Sequence, residues 1–126
     1  MPRYDASILP DANAWQALDE QERLDLVREY HRNIGEELPD ERQNVLHAVA
    51  HVIVENQLAL GVSPVPDTLT RLMREGLDRH AAVHAIGSVL MGAIYEGLSD
   101  NAGNISGEYA KGLSTLTAQK WLRDSK

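Results

Sequence analysis

A chain of 126 residues with 43% apolar and 25% charged side chains has the make-up of one globular domain, 1–126, able to bury roughly two-thirds of its unfolded surface. A net charge of −7 argues against nucleic acid, whose phosphates need lysine and arginine to displace counterions, and against anionic membranes. With no cysteine, disulfides and thiolate metal sites are excluded.

The N-terminal MPRYDASILPDANAW lacks the apolar run of a secretory signal, and no segment reaches the ~20 apolar residues of a membrane span. A cytoplasmic protein is expected. Pro10-Asp11 opens a short helical turn, ANAWQAL, that carries Trp15 and Leu18 toward a core. Asp19 caps the next helix and Glu22 completes a capping box; LDLVREYHRNI runs on to a stop at Gly35. His31, near that C-terminus, reads as a cation facing the helix dipole. Leu38-Pro39-Asp40 opens a helix to Leu60, stopped by Gly61, whose second half is apolar nearly all round and therefore central.

VSPVP is a connector too short for a domain linker. Asp67 or Thr68 then caps a short helix, TLTRLMRE, ended by Gly76, and Asp78 caps a helix from Arg79 to about Glu96. NAGNISGE reads as a loop, and a last helix covers roughly Tyr109 to Arg123. No run of alternating apolar and polar residues marks a strand. Phenylalanine is absent and aromatics are only 5%, so the core is aliphatic, which suits helix packing. The expected architecture is all-α, a compact bundle of five or six helices.

Four of the five histidines stand in two matched pairs. Residues four apart share one helix face, so His47, His51 and Glu55 form one polar stripe in LHAVAHVIVENQL. His80 and His84 begin a second, continued by Ser88 or Gly87, Met91 and Tyr95, while Gly87 and Gly92 let a neighbouring backbone approach. If the two helices pack side by side, four imidazoles and a carboxylate converge. That donor set suits a divalent transition metal such as zinc, with His47, His51, Glu55, His80 and His84 as candidate ligands. The alternative is a polar seam in which the histidines hydrogen-bond to one another, to Glu55 or to backbone carbonyls. HAVAH and HAAVH lack the glutamate of a zinc-peptidase H-E-x-x-H, and no E-x-x-H pair of the di-iron bundle kind occurs.

Other reaction machinery is missing from the sequence. There is no G-x-S-x-G elbow and no phosphate-binding glycine loop. Asn56 and Gln57 read as braces to neighbouring elements, because buried amides usually satisfy other polar groups.

The segment Leu46 to Glu96, with LHAVAHVIVENQL, a proline-containing connector and RHAAVHAIGSVL, resembles a family of small bacterial proteins with no assigned function; the ILPDANAWQALDEQER start is similar too. The resemblance implies a small all-helical cytoplasmic protein, with His47, His51, Glu55, His80 and His84 as its motif positions, and brings no activity.

Three functions follow as expectations. The first is a noncatalytic helical module, without nucleic-acid or membrane partners, that binds a protein partner or associates with itself through its apolar helices. The second is a metal-binding protein, which with an open coordination position would be an enzyme. The third is a pH sensor whose buried imidazoles resist charging as pH falls.

Overall fold

In the computed structural model, which describes residues 4–8, 10–36, 38–100 and 105–124, every regular element is helical and the helices pack on one another as an all-α bundle. Seven helices occur among the described residues: α1 Ala12–Ala17, α2 Glu20–Asn33, α3 Glu41–Leu60, α4 Val65–Arg74, α5 Arg79–Asp100, α6 Ile105–Thr115 and α7 Ala118–Asp124.

Their starts follow local chemistry. Asp11 accepts from the Ala14 N–H, and Asp19 and Glu22 form a reciprocal capping box. Asp40 accepts from the Arg42 N–H and Asp78 from the Ala81 N–H, each satisfying a donor that the first helical turn leaves free. The end of α2 matters most for the site. Gly35 takes the left-handed conformation (φ 76°), its N–H donates to the Arg32 carbonyl, and the Glu36 N–H donates to the His31 carbonyl at 2.9 Å. This pair of bonds turns the chain, and Glu36, itself exposed, lies beside His80 and His84.

Three boundaries differ from the sequence expectation. Helix α4 starts at Val65 with no side-chain cap, ahead of both Asp67 and Thr68. Pro66 tolerates this because a first-turn N–H has no helical partner anyway, and the Thr68 hydroxyl donates to the Pro64 carbonyl inside the helix. Helix α5 continues past Glu96 to Asp100, since a glycine there weakens a helix by about 1 kcal/mol without breaking its hydrogen-bond ladder. The single final helix is two, α6 and α7, and α6 already begins at Ile105, within the expected NAGNISGE loop; residues 101–104 of that loop lie outside the described residues. The break has a tertiary cause. The Glu75 carboxylate, at the end of α4, accepts from the Ala118 N–H at 2.9 Å, while Thr117 caps the Lys120 N–H.

Helix α3 is the shared wall of two apolar clusters. Val54 faces the larger, built with Leu72, Val83, Ile86, Leu90 and Leu113. Ala48 and Val52 face the smaller, with Tyr4, Trp15 and Val27. Asn56 and Gln57 are braces, as expected: Asn56 accepts from Trp15 Nε1 (2.8 Å) and Arg23 (2.9 Å), and Gln57 accepts from the Tyr109 hydroxyl at 2.7 Å. A Cβ on Gly87 would meet Ala50 at 3.5 Å, so α3 and α5 do approach closely there, whereas Gly92 has open space; the tight α5–α6 contact is at Gly112, where an added Cβ would meet Val89 Cγ1 at 2.6 Å. Among the described residues no single helix is long and apolar enough to cross a membrane.

Candidate metal centre

The close approach of α3 and α5 brings their polar stripes face to face. His47 Nε2 lies 2.7 Å from His84 Nε2, and His80 Nε2 lies 3.3 Å from His84 Nε2. The fifth histidine joins them. His31, on α2, has its ring centroid 4.4 Å from that of His47 and 4.5 Å from that of His51. One ligand nitrogen from each of His31, His47, His51 and His84 lies within 4.8 Å of the other three. A second group at the same spacing joins His31 and His84 to His80 and Glu36, whose carboxylate is 3.3 Å from His80 Nε2 and 3.8 Å from His84 Nε2.

These groups are geometrically able to hold a metal ion. Two nitrogens bound to one zinc at about 2.0–2.1 Å are separated by about 2.9–3.4 Å in octahedral or tetrahedral arrangement. The His80–His84 spacing is within that range, and the His47–His84 spacing is slightly under it. Because one ring nitrogen serves one ion, and the two groups share His31 and His84, the groups cannot both be filled.

The outer ring nitrogens explain why the inner ones point where they do. His31 Nδ1 is 2.9 Å from the Val27 carbonyl, which can only accept, so Nδ1 carries the proton and Nε2 keeps a bare lone pair. The Tyr4 hydroxyl donates to Glu55 at 2.5 Å, which leaves its oxygen as the acceptor for His51 Nδ1 at 3.4 Å. Tyr30 Oη faces His80 Nδ1 at 3.3 Å. Fixing a histidine's tautomer through its second nitrogen is how proteins orient metal-ligating imidazoles. The Nε2 atoms of His31 and His51 are fully buried and have no hydrogen-bond partner among the described residues. Such an orphan costs about 1–3 kcal/mol unless something else occupies its lone pair.

Burial disfavours the charged form of four of the rings, His31, His47, His51 and His84. Burial pushes His31 down to about 4, with the neighbouring His47 adding to the shift, and pushes His84 down to about 3. His51 is lowered furthest and His47 is lowered as well, again first by burial. Neutral imidazole is the form that binds metal.

The structure brings together His47, His51, His80 and His84 of the expected ligands, but not Glu55. Arg79 donates to both Glu55 oxygens at 2.8 Å, Tyr4 takes one as well, and the pair is 5% and 1% exposed. A buried guanidinium is a stronger claim on that carboxylate than a cluster of neutral rings. His31 corrects the reading as a dipole-facing cation, because a buried imidazole held neutral has no charge to offer the dipole. Tyr95, at 73% exposed, does not extend the α5 stripe. His31 and Glu36 are the site residues that helical spacing missed. The only signal was indirect: His31 is on the face of α2 that also carries Val27, and Glu36 follows the glycine that reverses the chain.

No family model, curated protein or solved structure matches the chain.

Proposed function

We propose that the protein binds a divalent transition-metal ion among the inward nitrogens of His31, His47, His51 and His84, with His80 and Glu36 as flanking donors. The observation that carries this reading is the pair of buried, unpartnered Nε2 lone pairs on His31 and His51, aimed into a group of neutral imidazoles. A hydrogen-bonded polar seam accounts for His47 with His84 but leaves those two lone pairs without any role. An imidazole-rich set suits zinc, iron, copper or nickel rather than magnesium or calcium. The test is metal analysis of untagged protein, with zinc titration followed by thermal unfolding. Binding near one equivalent and a rise in Tm that is lost in His51→Ala are expected. Trace metal only, with a Tm indifferent to added zinc, contradicts the proposal.

Self-association is the second reading. Leu60 on α3 is 65% exposed and Leu122 on α7 is 54% exposed, so apolar surface remains for a partner helix. A strictly monomeric mass by light scattering at high concentration removes it.

A further inference from the structure

Beside the histidine cluster, between α3 and α5, lies a cavity of about 500 Å³. His47, His51 and His84, three of the five clustered imidazoles, line one part of it, and the rest is Leu38, Leu46, Ala50, Gly87 and Met91 with the polar Gln43 and Ser88. Ala50 on α3 and Gly87 on α5 line it with little or no side chain, where larger side chains would take up part of the space. Its size is that of a small-molecule site, and its makeup, mostly apolar walls with a few polar groups, is that of one as well.

Charge decides what such a site takes. An ion held by four neutral imidazoles would keep its double positive charge, and a carboxylate would join it as a fifth ligand by expansion beyond tetrahedral coordination. Glu55, the one fully buried carboxylate nearby, is neutralised by Arg79. Glu36 lines a different, narrower pocket with His31 and His47, and is not part of this cavity. An anion entering over the histidine floor therefore meets a cation whose double charge the single carboxylate of Glu36 offsets only in part, and the rest of its body meets a mostly apolar wall. We propose that this cavity binds a small organic monocarboxylate, its carboxylate on the histidine-held metal ion and its hydrocarbon body along Leu46, Ala50, Gly87 and Met91. The proposal rests on the metal reading above and names the class of ligand that reading leaves open.

The test uses the full chain loaded with cobalt(II), whose visible bands report on its coordination, titrated with octanoate and separately with acetate. Both anions should perturb the bands, octanoate at a concentration at least about tenfold lower, a difference of about 1.4 kcal/mol. In the Leu46→Asn, Met91→Gln double variant the octanoate advantage should shrink toward unity while the acetate response and the cobalt bands persist; Leu46 is half exposed, so its replacement spares the fold. Cobalt bands with octanoate no tighter than acetate overturn the cavity proposal and leave the metal reading standing. Tight octanoate binding that ignores the double variant also overturns it, because the anion then lies elsewhere. Failure of cobalt to give protein-dependent bands removes both.

Discussion

Arg79 grips both oxygens of Glu55 where neither group meets water, so Glu55→Gln leaves a buried guanidinium without its counter-charge. Breaking one partner of such a pair costs about 3–5 kcal/mol. The variant should unfold at markedly lower urea yet bind zinc with the wild-type ratio, while His84→Ala should do the reverse, losing zinc and keeping more of its stability. Denaturation and metal titration on both variants check this; loss of zinc binding by Glu55→Gln in folded protein would make Glu55 a ligand after all. The spacing His47, His51, Glu55 placed three polar residues on one face, and that much was legible. What spacing within one helix cannot say is which neighbour each residue meets. Arg79 adjoins His80 in sequence, yet it reaches Glu55 rather than solvent, and His31 turns from a helix end into the cluster because α2 packs on α3.

Among the elements, caps and stops were the readable part. Asp11, Asp19, Asp40 and Asp78 mark starts, and Gly35 and Gly61 mark ends, because each acts on its own backbone within a few residues. The division between α6 and α7 was missed although Thr117 caps α7 locally; the second support, Glu75 at the end of α4 holding the Ala118 N–H, could not be read from nearby sequence. The small-residue stripe of α5 was half legible for the same reason: Gly87 faces Ala50, but the crowded glycine is Gly112 on α6. Gly112→Ala forces a Cβ to within 2.6 Å of Val89 and should destabilise the protein by roughly 1–3 kcal/mol, as overpacking does. Gly92→Ala meets nothing and should stabilise by roughly 0.5–1 kcal/mol through helix propensity. Thermal unfolding of the two variants should move in opposite directions, and parallel shifts would contradict this packing of α5 on α6.

For the whole molecule, the buried cluster ties stability to pH. The folded protein holds His31 near 4 and His84 near 3, and lowers His47 and His51, whereas unfolded histidines titrate near 6.5. Above about 6.5 the rings are neutral in both states and carry no penalty. Below it the unfolded chain takes up protons that the folded chain refuses, so stability declines as pH falls from about 6.5 through 4 and 3. Metal-free protein should therefore show a level urea midpoint from pH 8 to 7 and a steady fall from pH 6 to 4; a level profile across that lower span would mean the rings are not held neutral.

The all-α bundle was evident from periodicity and punctuation, and the facing of the two histidine helices from the cost of stranding their polar stripes. If four imidazoles from three helices, His31, His47, His51 and His84, surround one ion, anomalous diffraction from a zinc-soaked crystal, recorded at the zinc edge, locates it. One strong peak is expected, about 2.0–2.1 Å from ring nitrogens of His31, His47, His51 and His84. A peak only at surface carboxylates, or no peak among these histidines, would contradict it.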